Sequence, residues 1–416
     1  MKTGGKFLPP VDLHGRYVMS LEQVPASERV HIGFFGARNA GKSSLINALT
    51  GQEVSIVSAV AGTTTDAVSK SMELLPLGPV VLTDTAGYDD DDAQLGAQRI
   101  EKTRRELFRT DIAILVADAA KPFSETEETL IRLFTQAHTP YVIALNKCDT
   151  LEHLPEQLPE NAVLTSTVTG EGIGALKEML GSLAKNDAPE CFIIRDLIAQ
   201  DDFIVLVTPI DASAPKGRLI LPQQQTLREV LDAGASALVV QPEQLSGLLQ
   251  SLKTSPRMVV TDSQAFGVVA GIVPAHIPLT SFSILMARYK GFLKIAVDGA
   301  RALQTLSDGA NILIAEGCTH HRQCNDIGTV KLPRAIERYS GKKFTLNYCS
   351  GGTFPADLSG YDLVIHCGGC MRTEREMRWR MRTAVSQGVP FTNYGVTLAA
   401  CTGILERTLM QNALLK

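Results

Sequence analysis

The sequence predicts an α/β chain of three domains, a larger leading one and two smaller parallel ones, and three observations predict it. First, the apolar run Val30–Phe35 passes into a glycine-bracketed loop, Gly36–Ser43, and then into the helical pattern Ser44–Leu49, a strand-loop-helix order. Second, short β-branched runs alternate with helical stretches from Phe203 to Val273, the rhythm of a parallel sheet with crossover helices. Third, Ala310–Ala315 and Tyr361–Ile365 are apolar runs that each end in a Gly- and Cys-bearing loop. Each is followed by a helical pattern, so each reads as a buried strand feeding a loop.

The chain has 416 residues, 44% hydrophobic and 20% charged, which suits several domains with sizeable cores. A net charge of -4 and a pI near 6.1 provide no global attraction to nucleic acid or to an anionic membrane. Met1–Pro10 has two lysines and no apolar segment of signal-peptide type, so a cytoplasmic setting is expected. In that setting eight cysteines are expected as metal ligands or buried thiols rather than disulfides. The uncharged stretch Phe266–Ala287 has the length of a membrane span. Pro274, His276, Pro278 and three hydroxyl residues instead predict a buried strand over Val268–Val273, a domain boundary and a helix start. The expected divisions are 1–184, 185–273 and 274–416, with the polar stretch Ala184–Glu190 as linker.

Gly36–Ser43 has the spacing of a P-loop. Glycines there let successive backbone N–H groups wrap phosphates at a helix N-terminus. Gly36, Ala40, Gly41 and Ser44 are expected along that cradle, Lys42 at the β and γ phosphates, and the Ser43 hydroxyl on magnesium. The remaining elements of a GTPase follow in order. Gly62–Asp66 is a polar loop whose Thr64 is the candidate for magnesium and the γ-phosphate. Asp84–Gly87 follows a strand, with Asp84 holding magnesium through water and the Gly87 N–H sensing the γ-phosphate. Asn146, Lys147 and Asp149 form the base-reading segment. A carboxylate at Asp149 accepts from guanine N1–H and N2–H, a donor pair adenine lacks. Ser166 and Thr167 then cap the base through the backbone. Tyr88 stands where some GTPases place a water-orienting Gln, so slow intrinsic hydrolysis is expected. Asn39 either ligates a monovalent cation or tightens the turn, and the sequence leaves both open.

Residues 203–273 contain no cluster of chemical side chains and read as a connector or self-association surface. In the last region Cys367, Cys370, His366, Cys318 and His320 all lie where strands end, the edge of an open α/β sheet that carries ligands. Three thiolates and two histidines fit either a closed zinc site or a 4Fe4S cluster with a non-cysteine fourth position. A redox pair would need neither Cys318 nor a histidine. The helical stretch Met371–Gln387 carries Arg372, Arg375, Arg378 and Arg382, diluted by Glu374 and Glu376, and reads as a solvated or partner-binding face rather than a nucleic-acid stripe. Its N-terminal dipole favours an anionic metal-thiolate centre.

A P-loop GTPase domain with Asn39, a middle α/β domain, and Cys-x-His followed after 45 residues by His-Cys-x-x-Cys together resemble the HydF family, the maturation GTPases of iron-iron hydrogenase. The resemblance spans nearly the whole chain. It implies a P-loop GTPase domain followed by two smaller parallel α/β domains, and a 4Fe4S cluster on Cys318, Cys367 and Cys370, with His320 and His366 in the matching motif positions. It leaves His320, His321, His366 and Asp326 as candidates for the fourth ligand and makes Cys324, Cys349 and Cys401 bystanders. It further implies GTP, magnesium and potassium at the first domain, the potassium on Asn39, and a homodimer through the middle domain. The implied role is a scaffold or carrier for a two-iron precursor. Its implied partners are radical-SAM maturases of HydE and HydG type and the hydrogenase apoprotein, with no nucleic acid and no membrane. The competing expectation is a GTPase of RNA modification or ribosome assembly with a structural zinc domain.

Overall fold

The computed structural model describes residues 26–51, 68–85, 103–153, 155, 157–184, 191–210, 219–317, 327–410 and 413–415. Thr64 and its loop, Gly87, Tyr88, Cys318, His320, His321, Cys324 and Asp326 lie outside the described residues. The chain divides into two compact units, Met1–Ala188 and Pro189–Lys416.

In the first unit six strands form one sheet: β1 (Val30–Phe35), β2 (Val68–Leu74), β3 (Gly78–Asp84), β4 (Ile112–Asp118), β5 (Tyr141–Asn146) and β6 (Ala162–Leu164). Their order is β2-β3-β1-β4-β5-β6, with β2 antiparallel to β3 and the others parallel. The central strands are apolar along their length because both faces are covered. On one face Leu45 and Leu49 of α1 (Lys42–Thr50) pack with Leu176 and Leu180 of α3 (Ile173–Ala184). On the other, Leu130, Leu133 and Phe134 of α2 (Glu125–Gln136) cover Phe35, Leu115 and Ile143. Ser124 caps α2 in a reciprocal box with Glu127, offsetting the orphan amides of its first turn. The C-terminal ends of β1, β3 and β5 therefore share one edge, where Gly36, Asp84 and Asn146 stand.

The second unit contains two four-stranded parallel sheets. One has the order β10-β9-β7-β8, from β7 (Phe203–Val207), β8 (Ser236–Val240), β9 (Met258–Thr261) and β10 (Leu279–Ser281). The other has the order β12-β11-β13-β14, from β11 (Asn311–Glu316), β12 (Thr345–Ser350), β13 (Leu363–His366) and β14 (Phe391–Asn393). Both α/β layers are present, as the alternating pattern implies, and the first sheet takes its last strand from beyond residue 273. Ile204, Phe282, Phe292, Ile314 and Phe391 belong to one continuous core that joins the two sheets.

The expected strand over Val268–Val273 is instead part of a helix, α6 (Phe266–Ile272), reached through α4 (Leu221–Asp232) and α5 (Pro242–Ser251). Its buried residues Phe266 and Val269, with Val273 just beyond, recur at helical spacing, while Val268 is exposed. The uncharged run from Phe266 to Ala287 thus breaks into α6, β10 and the start of α7 (Phe282–Tyr289). Among the described residues no helix is long and apolar enough to cross a membrane. Two further helices frame the last sheet, α8 (Leu293–Ala302) and α9 (Leu332–Ser340). They are followed by α10 (Glu374–Ser386) and α11 (Tyr394–Cys401).

Candidate functional site

The P-loop is built by two left-handed glycine positions and a close approach. A Cβ on Gly36 (φ 144°) would lie 2.2 Å from the Val116 carbonyl oxygen, and one on Gly41 (φ 97°) 2.2 Å from Asn146 Nδ2. Only glycine lets the loop pass between β4 and the end of β5. Asn39 also has positive φ, 62°, in a region asparagine tolerates better than most residues. Lys42, nearly buried, donates to the carbonyls of Gly36 at 3.0 Å and Ala37 at 2.9 Å. Ser43 Oγ donates to Asp84 Oδ2 at 2.6 Å, so the two expected magnesium groups are in contact. Asp84 Oδ1 is buried without a hydrogen-bond partner among the described residues, an orphan acceptor of the kind a cation satisfies.

The base-reading side is tied to the phosphate side by Asn146, which is 1% exposed and donates through Nδ2 to the Ala40 carbonyl at 3.1 Å. Lys147 sits at φ 65° and pairs with Asp118 Oδ2 at 2.9 Å. Burial alone would raise the Asp118 pKa, but the bonds from Lys147 and the Ala120 N–H hold it below the usual carboxylate value. Asp118 was not singled out from the sequence. Its signal was its place at the end of β4, beside β5. Asp149 accepts the Ser166 hydroxyl at 2.5 Å, while Ser166 Oγ takes the N–H groups of Val168 and Thr169, each at 3.2 Å. Asn39, Gly41, Lys42, Ser43, Ser44, Asn146, Lys147, Asp149 and Thr167 line one cavity of about 510 Å³.

The second site is the loop after β13. The Cys367 N–H extends the strand pairing to the Ala315 carbonyl at 2.8 Å, which brings the ends of β11 and β13 together. Cys367 Sγ there accepts backbone N–H groups from Gly317 at 3.0 Å and Gly369 at 3.4 Å. Sulfur in that role is an acceptor, as a thiolate is. Gly369 (φ 62°) is packed so closely that a Cβ would stand 2.4 Å from Met377 Sδ. Cys367 and Cys370 are half-buried. Among the described residues no group of three or more His, Cys, Asp or Glu side chains is placed to hold a metal, and Cys318 lies outside them.

His366 is fully buried, and both of its ring nitrogens have protein partners. Nδ1–H donates to the Cys367 carbonyl at 2.8 Å, which leaves Nε2 to accept from Arg380 Nη1 at 3.0 Å. Burial first, then the positive charge of Arg380, pushes the His366 pKa down to about 3, so the ring is neutral. Arg380 is itself 1% exposed. Its Nη2 donates to Glu376 Oε1 and to the Gly351 carbonyl, each at 2.6 Å. The guanidinium also lies over the Phe354 ring, 5.2 Å from its centroid. Arg372 turns inward as well, with Nε on the Gly317 carbonyl and Nη1 3.2 Å from Glu376 Oε2. The solvated face expected for this helix therefore excludes Arg372; sequence reasoning missed Arg380 and read Glu376 only as diluting the arginines. Burial pushes the Cys349 thiol up to about 11 and the Cys401 thiol up to about 12.

These sites define a P-loop GTPase joined to a parallel α/β unit that presents a cysteine pair at a strand end. Family models for the hydrogen maturase F dimerization domain and tetramerization domain match residues 193–291 and 294–411, and one for a 50S ribosome-binding GTPase matches 31–147. The chain belongs to the hydrogen maturase F family. Among curated relatives it is 32% identical to the tRNA modification GTPase MnmE of Bordetella parapertussis over 42% of this chain and 38% of that one. It is 34% identical to the GTPase Der of Wolinella succinogenes over 42% of this chain and 40% of that one. It therefore spans well under half the length of either. Among solved structures the G domain of T. maritima FeoB is 26% identical, with a TM-score of 0.30, over 38% of this chain and 100% of that one.

Proposed function

We propose that this chain is a GTP-hydrolysing scaffold or carrier that assembles or delivers the two-iron precursor of the iron-iron hydrogenase active site. In this reading the second unit holds a 4Fe4S cluster on Cys318, Cys367 and Cys370, with an exchangeable fourth position. The observation that carries it is the Cys367 sulfur at the junction of β11 and β13, fixed as an acceptor by two backbone N–H groups. A thiol donating to a neighbour needs no such setting, whereas a metal-bound thiolate gains from both bonds. The cluster, when bound, would supply an iron whose fourth ligand can be exchanged. The chain's own contribution is to hold the sulfurs and exclude competing ligands. His366, with both nitrogens engaged, serves as a buttress behind the loop, which leaves His320, His321 and Asp326 for the fourth position.

In the first unit Ser43 and Thr64, with Asp84 acting through water, would hold magnesium, and Asp149 with Ser166 and Thr167 would read guanine. The Lys42 ammonium, now on two loop carbonyls, is the charge offered to the β and γ phosphates. Bound magnesium would neutralise phosphate charge, and potassium on Asn39 would add to it where no Gln orients the water. Radical-SAM maturases of HydE and HydG type and the hydrogenase apoprotein are the proposed partners. Matches to dimerization and tetramerization domains support a homo-oligomer. The RNA-modification reading is not favoured, because the second unit is matched by hydrogen maturase F models.

Anaerobic purification followed by metal and acid-labile sulfide analysis tests the proposal. A brown protein with iron and sulfide in equal amounts is expected. A colourless one with stoichiometric zinc overturns it.

A further inference from the structure

The junction between α7 and α8 reads Arg288-Tyr-Lys-Gly291 and falls where the dimerization match ends, just before the tetramerization match begins. Gly291 takes φ 73°, which turns the chain between the two helices. Lys290 caps α7 through its backbone N–H to Met286, at 3.0 Å. Its side chain, however, runs inward. The residue is 3% exposed, and Nζ donates to the carbonyl of Gly369 at 2.6 Å and of Arg372 at 2.8 Å. Those two carbonyls bracket Cys370 in sequence. In return Arg378 Nε, on the helix that follows the loop, donates to the Lys290 carbonyl at 3.3 Å. The cysteine loop is thus bolted to the end of a helix from the preceding domain.

The same side chain brings charge. A buried ammonium is costly unless what surrounds it offsets its lost hydration. Two more cations stand around this loop, Arg372 and Arg380, and they share the Glu376 carboxylate. A metal centre with several thiolate ligands is anionic, and each electron it takes makes it more so. Nearby positive charge stabilises the more negative state and raises the reduction potential.

We propose that Lys290 is a positioning residue for the Cys367–Cys370 loop that also sets the charge the loop accepts. It fixes the carbonyls on either side of Cys370 and tunes the site for an anionic iron-sulfur centre. The charge half of the inference rests on the cluster reading above; the positioning half does not.

Two variants of the full chain separate the halves. Lys290→Met keeps most of the side-chain volume and removes the donors and the charge, and Lys290→Arg restores both. In metal-free protein, hydrogen exchange of the segment from His366 to Thr373 should be faster in Lys290→Met than in the parent and recover in Lys290→Arg. In protein reconstituted anaerobically with iron and sulfide, the EPR-monitored midpoint of the one-electron reduction by mediated dithionite should shift to lower potential in Lys290→Met and return in Lys290→Arg. Unchanged exchange in Lys290→Met overturns the positioning role whatever metal is present. Faster exchange with an unchanged midpoint overturns the charge role. A parent that takes up no iron-sulfur cluster sinks the cluster reading and the charge role with it, while the exchange result still decides the positioning role.

Discussion

Asp149 is held by the Ser166 hydroxyl at 2.5 Å, and Ser166 is held in turn by two backbone N–H groups, so the carboxylate is set before any base arrives. Two hydrogen bonds from a base to a carboxylate are each worth roughly 1.5–3 kcal/mol. Asp149→Asn should therefore weaken GTP on the order of a hundredfold or more. The same variant should gain xanthosine triphosphate, because the amide offers a donor where the carboxylate accepted. Titration of fluorescent nucleotides checks both, and equal hydrolysis of ATP and GTP by the parent would sink base selection through Asp149. Asn39 permits a parallel experiment. Its φ of 62° means that alanine would add backbone strain of about 1 kcal/mol or more, so Asn39→Gly is the cleaner removal of the amide. Hydrolysis should be faster in potassium than in sodium for the parent and equal in both for Asn39→Gly. Identical parental rates in the two salts would end the potassium proposal.

At the scale of elements, α10 carries two readings of one pattern. Arg372, Arg375, Arg378 and Arg382 resemble a solvated stripe, yet Glu376, Met377, Arg380 and Met381 form its buried face. Nothing in the sequence distinguishes an arginine that faces solvent from one that reaches a buried histidine, because the distinction lies in His366 and the Gly351 carbonyl, which only the fold of the sheet brings beside Arg380. Removing one member of a buried, charged network costs about 3–5 kcal/mol. Arg380→Met would leave Glu376 and His366 Nε2 short of a donor and should lower the stability of the second unit by that order. The chain's single tryptophan, Trp379, packs edge-on against Phe354 with centroids 5.8 Å apart, so its fluorescence reports urea unfolding there. A midpoint equal to the parent's would show that the network is not structural. Elsewhere elements were legible where local chemistry decides them. The glycines of the P-loop and the β-branched runs of β7, β9 and β11 announce themselves. By contrast α6 was misread, since Val268, Val269 and Ile272 favour a strand locally and only the burial of Phe266 and Val269 on one face reveals the helix.

For the whole molecule, the two compact units keep nucleotide chemistry and thiol chemistry on separate cores, Ile32, Leu45 and Leu176 in one and Ile314, Val364 and Met377 in the other. Of the nucleotide-site residues expected from the sequence, Asn39, Gly41, Lys42, Ser43, Ser44, Asn146, Lys147, Asp149 and Thr167 line one cavity, because each expected role demands a side-chain type at a fixed place after a strand, while Thr64 and Gly87 lie outside the described residues. Around the Cys367–Cys370 loop the sequence draws the eye only to the cysteines; the groups behind them, Lys290, Glu376 and Arg380, belong to residue types that are usually at the surface, and only the fold buries them. The central claim is that three cysteines, and no others, hold a 4Fe4S cluster whose fourth position is exchangeable. It is tested most directly by iron content and EPR across a set of single alanine variants reconstituted anaerobically. Replacing Cys318, Cys367 or Cys370 should remove the cluster while GTP hydrolysis persists, and replacing Cys324, Cys349 or Cys401 should leave both in place. Full iron in any of the first three, or loss of iron in any of the second three, would contradict the account.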